Sequence, residues 1–421
     1  MVGAARILGG FALALAMTLH APARAAVLRV QPGEAIQPLI DAAAPGDEIR
    51  LAPGRHAGPL AIGRRLTLAG EPGAWLAGTG SGSVITVTGD DVRIEGLKIT
   101  GSGSDLPAMD SAILVRRTAR RAQVRGNELE GNLFGVYLHG AAGSVVEGNT
   151  ILGRKGVRMA DTGDGVTIWN APGARVVDNT VRWGRDGIYV RVSRDNSFER
   201  NRFSDLRFAV HYMYTLDSRI IGNRSHDNHV GLAIMFSSGL EIRDNVSERD
   251  RDHGLALNYT NDSVIAGNVV RYGGQKCVFV YNANGNRFSD NWFEGCPIGI
   301  HFTAGSERNV LTGNAFVGNR SQVKYVGTRY LDWSRDGRGN YWSDNPAFDL
   351  DGDGIADRPY RPNDVIDVIL WTLPAAKALT NSPAVQMVRW AQARFPALYP
   401  GGVVDSAPLM QPVAVPPPAS P

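Results

Sequence analysis

The sequence predicts an all-β fold, a right-handed parallel β-helix built from coils of 22–23 residues. An asparagine, usually preceded by glycine or aspartate, recurs at intervals of 22, 30, 22, 22, 22, 23, 23 and 23 residues. Regular spacing of this kind indicates a solenoid. Short Val/Ile/Leu runs without helical periodicity predict three strands per coil, with coils stacked ~4.8 Å apart. The repeating residues are Asn127, Asn149, Asn179, Asn201, Asn223, Asn245, Asn268, Asn291 and Asn314.

Composition agrees with this fold. The 421 residues include 50 glycines and only 2 cysteines, which favours an array of turns and short strands over a helical bundle. A leucine-rich repeat has a similar period, but its Leu-x-x-Leu-x-Leu pattern is absent. The repeat therefore indicates a β-helix.

The first 25 residues have the pattern of a signal peptide. Arg6 precedes an apolar run from Ile7 to Leu19, and Ala23-Arg24-Ala25 is a small-x-small cleavage site. The alternative, a membrane anchor, is disfavoured because the apolar run is short and is followed by Pro22. We therefore expect an exported protein of the periplasm that does not itself span the membrane.

The charge of the mature chain excludes some functions. Without residues 1–25 the basic count falls from 44 to 42 against 41 acids, a net charge near +1. No basic stripe with interleaved aromatic residues is present, so nucleic acid is not an expected partner. No GxxxxGK[ST] loop is present, so any ATP-driven step belongs to another subunit.

Five segments are predicted along the chain. Residues 1–25 are the signal peptide, and residues 26–341 form the β-helix, whose open end is capped by a short amphipathic helix from Glu34 to Ala44. Residues 342–363 form an Asp/Gly-rich module, 364–411 a docking or capping segment, and 412–421 a disordered tail.

The strand that follows each predicted turn aligns column by column. Counted from each asparagine, positions nine and eleven are apolar and are expected inside, which leaves positions ten and twelve outside. The outward columns are rich in aromatic residues, which predicts a docking surface. Position ten contains Tyr137, Thr167, Tyr189, His211, Ala233, Ala256, Phe279 and His301. Position twelve contains His139, Trp169, Arg191, Met213, Met235, Asn258, Tyr281 and Thr303.

Two methionines and a histidine should meet on this outer face. Met213 and Met235 are 22 residues apart and are expected one above the other, with His211 two residues along the strand from Met213. Thioether sulfur together with imidazole selects Cu(I). We predict transient Cu(I) binding by these three residues; the alternative for a lone methionine is ordinary packing. Further candidate ligands towards the N-terminal end of the face are Met109, Met159 and His139.

Four other residues leave alternatives open. His226 and His229 lie on a turn and are either additional ligands or solvated side chains. Cys277 and Cys296 lie in adjacent coils and are either a disulfide or two unpaired thiols.

An acidic stretch after the last coil resembles the first part of an EF-hand loop. Acids occupy positions 1, 3, 5 and 9 and glycine position 6, but Tyr360 stands where the bidentate glutamate is expected. A structural Ca²⁺ site is predicted, and a tight Asp/Gly turn is the alternative. Its candidate ligands are Asp349, Asp351, Asp353, Ile355 and Asp357.

An enzyme that cleaves or epimerises acidic polysaccharides is the rival interpretation of this fold. Most of the acids that could build its site lie at turn positions, where aspartate is common for local structural reasons. We therefore expect a chain without enzymatic activity, acting as a copper carrier or as a metal-free docking scaffold. The residues in question are Asp186, Arg191, Asp205, Arg207, Asp227, Glu248, Asp250 and Asp252.

The C-terminal segment contains a predicted amphipathic helix. Ser382 is a favourable N-cap, and Pro383 occupies the first turn. Apolar residues then recur every three to four positions up to Phe395. The segment either caps the last coil or docks onto a membrane partner.

Together these features resemble the NosD family. The resemblance rests on the run from His211 to Asn223 (HYMYTLDSRIIGN), on Gly339 to Asp344 (GNYWSD), and on the stretch from Ser382 to Met410. It covers nearly the whole mature chain, and the region beyond the coils is its most specific part.

The resemblance implies a role in building the copper sites of nitrous oxide reductase. It further implies three partners: an ABC transporter made of an ATPase and a membrane subunit, a copper chaperone lipoprotein, and the reductase itself. It assigns no copper ligands, so the methionine and histidine set is a geometric prediction of our own.

Overall fold

The computed structural model describes residues 25–327, 329–363, 382–395 and 402–414, together with residues 365, 366, 369 and 379. Its main body is a right-handed parallel β-solenoid of about 14 turns, which confirms the predicted fold class. Residues 1–24 of the predicted signal peptide, residues 415–421 of the predicted tail and much of the predicted segment 364–411 lie outside the described residues. Among the helices of the described ranges, none is long and apolar enough to cross a membrane.

Three long sheets run the length of the solenoid, and every strand pairs in parallel with its equivalent in the neighbouring coil. Sheet 1 has 13 strands, sheet 2 has 12 and sheet 3 has 13.

The strands of sheet 1 are Val27–Val30, Glu48–Leu51, Thr67–Gly70, Arg93–Glu95, Gln123–Arg125, Val145–Glu147, Arg175–Val177, Ser197–Glu199, Arg219–Ile221, Glu241–Arg243, Val264–Ala266, Arg287–Ser289 and Val310–Thr312. The strands of sheet 2 are Leu60–Ile62, Ile85–Val87, Ser111–Val115, Phe134–His139, Val166–Trp169, Asp186–Arg194, Phe208–Leu216, Val230–Ser238, His253–Asn261, Lys276–Tyr281, Ile298–Thr303 and Ser321–Val326. The strands of sheet 3 are Gly54–Ala57, Ala74–Ala77, Lys98–Thr100, Glu128–Glu130, Thr150–Leu152, Thr180–Arg182, Arg202–Ser204, Arg224–His226, Val246–Glu248, Val269–Arg271, Trp292–Glu294, Ala315–Val317 and Tyr341–Trp342.

The repeating asparagines form a continuous buried ladder in the turn between sheets 1 and 3. Oδ1 of Asn201 accepts from the backbone N–H and from Nδ2 of Asn179, at 3.0 and 2.9 Å. Its own Nδ2 donates to the carbonyl of Val176 and to Oδ1 of Asn223. Each buried amide thus satisfies the polar groups of both neighbouring coils and holds them in register.

The residue before each ladder asparagine explains the Gly/Asp preference seen in the sequence. Gly148 and Gly222 have φ values of 64° and 65°, and Asp178 and Asp244 both have 55°. Glycine adopts this left-handed conformation without a steric penalty, and aspartate tolerates it better than most residues. The two-residue pattern of glycine or aspartate followed by asparagine therefore specifies both the ladder and the left-handed turn before it.

The two ends of the solenoid differ from the sequence prediction in detail. The N-terminal helix α1 covers only Gln37–Ala42, shorter than predicted, and its Gln37 side chain hydrogen-bonds both backbone groups of Ala61 on the edge strand of sheet 2. The capping role of α1 stays a prediction. At the other end, Asn340 extends the ladder by one rung, and Asp405 accepts its N–H at 2.7 Å.

The C-terminal chain returns to the last coil. Strand Gly402–Val404 pairs with Tyr330–Asp332, and Leu409 bridges to Tyr341 and Ile355. Residues 402–410 therefore lie against the last coil, and the capping or docking role of the segment 364–411 stays a prediction. Helix α2 (Pro383–Arg394) precedes residues 402–410 and has the predicted Ser382 cap, whose hydroxyl accepts from the N–H of Val385.

The two cysteines form a disulfide. Cys277 lies in sheet 2 and Cys296 follows sheet 3 in the next coil, with their Cα atoms 5.6 Å apart. This settles the alternative left open by the sequence, and it leaves the chain no free thiol.

The ladder makes a direct prediction about stability. Replacing Asn201 with alanine leaves polar groups of Asn179 and Val176 buried without partners, so the free energy of unfolding should fall by about 2–4 kcal/mol. Urea denaturation measures the change. Asn170→Gly is the matched control, because Asn170 is exposed and has a left-handed φ of 48° that glycine also adopts. Equal effects of the two variants would contradict a role of the ladder in stability.

Candidate functional site

The outward columns of sheet 2 have the register that the sequence predicts. Met213 pairs directly with Met235, and His211 lies between Tyr189 and Ala233 in its own column. Tyr212 and Ile234 alternate with them and are fully buried. Both methionine side chains are half-buried on the outer face. Two thioethers and an imidazole therefore share one small area.

His211 is held by a buried carboxylate of the preceding coil. The residue is only 7% exposed, and its Nδ1 lies 2.8 Å from Oδ2 of Asp186. Arg207 also binds Asp186, through Nε at 2.8 Å and Nη2 at 2.6 Å. An ionised carboxylate only accepts hydrogen bonds, so Nδ1 of His211 carries the proton and donates it.

The charge of Asp186 is stabilised in spite of its burial. Burial alone would raise the pKa of this carboxyl, but the hydrogen bonds from His211 and Arg207 outweigh it and lower the pKa below its usual value. Nε2 of His211 is buried and has no hydrogen-bond partner among the described residues. A histidine fixed by a carboxylate on one nitrogen and open on the other is the usual arrangement of a metal ligand.

Aromatic rings enclose this histidine and approach the sulfur of Met213. The ring centroids of Tyr189 and Phe208 lie 4.9 and 5.0 Å from that of His211. The Tyr189 hydroxyl is 3.9 Å from Sδ of Met213. The group combines one oriented imidazole with two neutral thioethers, a donor set suited to a soft ion such as Cu(I).

A second buried carboxylate, which the sequence pattern did not indicate, lies one coil before Asp186. Asp164 accepts from the Thr167 hydroxyl at 3.0 Å and from Nε of Arg185 at 3.2 Å. Burial and the nearby charge of Asp186 raise the pKa of Asp164 to about 6. Asp164 is the equivalent of Asp186 one coil earlier, because Val166 pairs with Ile188, but this column precedes the outward positions ten and twelve from which the site was predicted.

The other predicted copper ligands do not join this group. His139 stacks on Trp169 at 5.1 Å and is three strands from Met213, or about 14 Å. Met109 packs against the cluster that contains Leu114 and Tyr137. Met159 lies in a short 3₁₀ helix (Met159–Asp161) of the loop that precedes strand Val166–Trp169, and is exposed.

The two turn histidines are separated by the fold. His226 ends a strand of sheet 3, and its Nδ1 lies 3.0 Å from Asp227. His229 lies at the start of sheet 2, where its Nε2 is 3.8 Å from the Asp252 carboxylate. Only His229 is therefore on the same side of the solenoid as His211.

The aromatic surface differs from the prediction. Tyr137 was expected outside but is only 6% exposed, because the inserted loop with Leu106 and Met109 covers it. An unpredicted stripe lies beside the methionines, where Phe236 stacks between Tyr214 and Tyr259 with centroid distances of 5.2 Å on both sides.

Backbone geometry explains the stripe. Tyr214, Phe236 and Tyr259 have φ values of 57°, 49° and 49°, so the chain bends at position thirteen and strict alternation ends there. The next residues, Thr215 and Ser237 among them, turn inward and are buried. Sequence alternation could not show this change of direction.

The acidic loop brings three carboxylates together. Oxygens of Asp349, Asp351 and Asp353 all lie within 4.8 Å of one another. Asp349 accepts from the N–H groups of Gly352 and Gly354, whereas Asp357 accepts from the N–H of Leu350. A tight turn with these hydrogen bonds is therefore present, and Ca²⁺ binding stays a prediction.

Comparison with known sequences identifies close relatives. A family profile described as periplasmic copper-binding protein (NosD) matches residues 152–347. A protein of Stutzerimonas stutzeri named probable ABC transporter binding protein NosD is 42% identical over 376 residues, covering 86% of both chains. A protein of the same name from Pseudomonas aeruginosa PAO1 is 42% identical over 382 residues, covering 87% of this chain and 89% of its own.

Solved structures share the fold at low sequence identity. A Yersinia enterocolitica family 28 exopolygalacturonase has a TM-score of 0.59 at 13% identity, covering 72% of this chain and 77% of its own. The Streptococcus pneumoniae surface protein and adhesin PfbA has a TM-score of 0.56 at 11% identity, covering 71% and 98%. An enzyme and an adhesin match about equally well, so these similarities show the fold alone.

The raised pKa of Asp164 predicts a pH dependence of stability. The folded pKa of Asp164, about 6, exceeds the ordinary aspartate value of 3.8, so the folded state binds this proton more tightly than the unfolded state. The resulting stabilisation is present at low pH and is lost as pH rises from about 4 to 6. The Asp164→Asn variant lacks this titration. The free energy of unfolding of the variant minus that of the wild type should therefore increase as the pH rises from about 4 to 6.

Urea denaturation at a series of pH values measures the difference. Asp195→Asn is the control, because Asp195 is an exposed aspartate with a left-handed φ of 57° that asparagine also tolerates. A difference between wild type and Asp164→Asn that is constant with pH would contradict the assignment.

Proposed function

The chain belongs to the NosD family, and on this basis we propose that it carries copper in the periplasm. We further propose that it works with an ABC transporter in the assembly of the copper sites of nitrous oxide reductase. The observation that carries the copper proposal is His211, whose Nε2 is buried without a hydrogen-bond partner among the described residues; His211 lies two residues along its strand from Met213, which pairs with Met235.

The donor set favours Cu(I) over other ions. Both cysteines are joined in a disulfide, so soft ligation by thiolate is not available. Thioether sulfur remains, and it needs no deprotonation before it binds. Met213 and Met235 lie in register on neighbouring strands about 4.8 Å apart, which allows both sulfur atoms to approach one ion.

The same features favour transfer over storage. Thioether ligands bind more weakly than thiolates, and both methionine side chains are half-buried at the surface. The exposed aromatic stripe of Tyr214, Phe236 and Tyr259 lies directly beside them. We propose that the stripe is the contact surface for a copper-donating or copper-accepting protein, such as the copper chaperone lipoprotein or the reductase.

One observation favours a carbohydrate enzyme as a second candidate. Asp164 and Asp186 are neighbouring carboxylates with pKa values shifted in opposite directions, a pattern found in acid–base catalysis. Both carboxyl groups, however, are fully buried and already bound by arginine, threonine or histidine. A substrate could not reach them without breaking these contacts, so we favour the copper carrier. If the chain were such an enzyme, its incubation with alginate or pectate would produce new reducing ends or unsaturated products.

Helix α2 is the proposed docking element for the transporter. Met387, Trp390 and Phe395 are 71%, 61% and 59% exposed, so the helix and its C-cap present three large apolar side chains to solvent. Relatives named as ABC transporter binding proteins support this assignment. Any ATP hydrolysis belongs to the ATPase of that transporter.

The copper site is tested by removing both sulfur atoms. Met213→Leu/Met235→Leu keeps side chains of similar volume but removes the thioethers, so the chain should lose one equivalent of bound Cu(I) or bind it at least about tenfold more weakly. Anaerobic competition titration with a chromogenic Cu(I) chelator measures stoichiometry and affinity.

The matched control is Met109→Leu/Met159→Leu, which removes two sulfur atoms from the other end of the face. This variant should bind Cu(I) as the wild type does. Unchanged binding by Met213→Leu/Met235→Leu would exclude the site. Loss of binding in the control alone would place the Cu(I) site in the loops that contain Met109 and Met159.

The docking proposal is tested on the exposed face of α2. Met387→Asp/Trp390→Asp places charges on this apolar surface, so co-purification with the transporter's membrane subunit should be lost while Cu(I) binding is unchanged. Gln386→Asp adds a charge at an exposed polar position of the same helix and should leave the complex intact. Recovery of the complex with the double variant would contradict docking through α2.

A further inference from the structure

A second cluster of potential metal ligands lies on the same edge of sheet 2. His229 and Asp252 are stacked in consecutive coils, because the N–H of Asp252 donates to the carbonyl of His229 at 2.8 Å. His253 follows Asp252 and begins the strand His253–Asn261. His229 lies two coils beyond Asp186, in the coil of Met235, and Asp252 and His253 lie one coil further. The cluster shares no residue with the Met213 and Met235 site.

The Asp252 carboxylate faces one imidazole with each of its oxygens. Nδ1 of His253 lies 3.5 Å from Oδ1, and Nε2 of His229 lies 3.8 Å from Oδ2. Oδ1 of Asp252 and Nδ1 of His253 are both buried, and neither has a hydrogen-bond partner among the described residues. Two buried, unpaired polar atoms that face each other indicate that a partner of both is missing.

These separations suit a bound cation. Zinc-type ions bind histidine nitrogen and carboxylate oxygen at about 2.0–2.2 Å, which places two ligands of one tetrahedral ion about 3.3–3.6 Å apart. The His253 and Asp252 pair is within this range. His229 faces the other carboxylate oxygen, and its side chain is 52% exposed, so rotation of this side chain is required to bring all three ligands onto one ion.

We propose that His229, Asp252 and His253 form a binding site for a divalent transition-metal ion, Cu²⁺ or Zn²⁺. Two imidazoles and one carboxylate are borderline-hard donors that select divalent ions of this class. The His229 side chain is 52% exposed, so a bound ion would be accessible to solvent from that side. The inference does not depend on the Cu(I) site, whose donors are soft thioethers.

One cation adjacent to the cluster limits its affinity. Nζ of Lys276 lies 3.5 Å from Nε2 of His253 and 4.7 Å from the ring centroid of Phe279. Lys276 therefore approaches the nitrogen opposite the one that faces Asp252. Its charge repels a divalent ion in the cluster, and its replacement by methionine should tighten binding.

Zn²⁺ is the first probe, because thioethers bind it poorly and it has no redox chemistry. The protein is the full mature chain with Met213→Leu/Met235→Leu, in buffer with excess Ca²⁺ to occupy the acidic loop. Calorimetric titration should give one equivalent of Zn²⁺. His229→Gln, Asp252→Asn and His253→Gln should each weaken binding at least about tenfold, whereas Lys276→Met should strengthen it.

The control is His226→Gln, because His226 is exposed on sheet 3 and contacts only Asp227 of the neighbouring acids. It should bind Zn²⁺ as the parent does. His229 is half-exposed, so its variant keeps the proposal testable even if the more buried Asp252 and His253 variants fail to fold.

Electron paramagnetic resonance of bound Cu²⁺ gives an independent readout. The parent should show hyperfine structure from two imidazole nitrogens, and His229→Gln should reduce this to one. Absence of a Zn²⁺ equivalent in the parent, or equal binding by parent and His229→Gln, would overturn the proposal. Neither result would affect the Cu(I) site, which is measured with the methionines intact.

Discussion

The in-register stacking of coils, fixed by the buried asparagine ladder, is the constraint on which the rest of the molecule depends. Each amide accepts from one neighbouring coil and donates to both, so a shift of one residue would leave polar groups of two coils unsatisfied in the interior. Residues 22–23 positions apart are consequently neighbours at strand spacing. Residues that lie close in sequence but on different sheets, such as His226 and His229, are not neighbours on one face.

This constraint turns sheet 2 into a surface where side chains of several coils act together. Met213 and Met235 meet because their coils have the same length, and His211 is oriented by Asp186, which lies 25 residues earlier. The charge of Asp186 is tolerated inside because Arg207 supplies the compensating charge. A single edge of the solenoid thus contains a soft-donor group and a nitrogen–oxygen group of different chemistry, which begins in the coil of Met235 and extends into the next coil.

The alternation of inward and outward side chains along a strand predicted burial correctly only where the backbone is extended. It correctly placed Tyr212 and Ile234 inside and the two methionines outside. It failed at Tyr214 and its equivalents, where a left-handed residue redirects the chain. It also misplaced Tyr137, which is outward in its column but covered by an inserted loop whose path no repeat encodes.

The sequence by itself determined the repeat, the fold class, and the pairing of Met213 with Met235, because the period of the asparagines fixes which residues stack. Only the tertiary structure decided the protonated nitrogen of His211, the partners of Asp164 and Asp186, and the Cys277–Cys296 disulfide. His211 and Asp186 lie on paired strands, so their contact depends on side-chain conformation, whereas the disulfide depends on the path of the turn that contains Cys296. Composition and spacing specify neither.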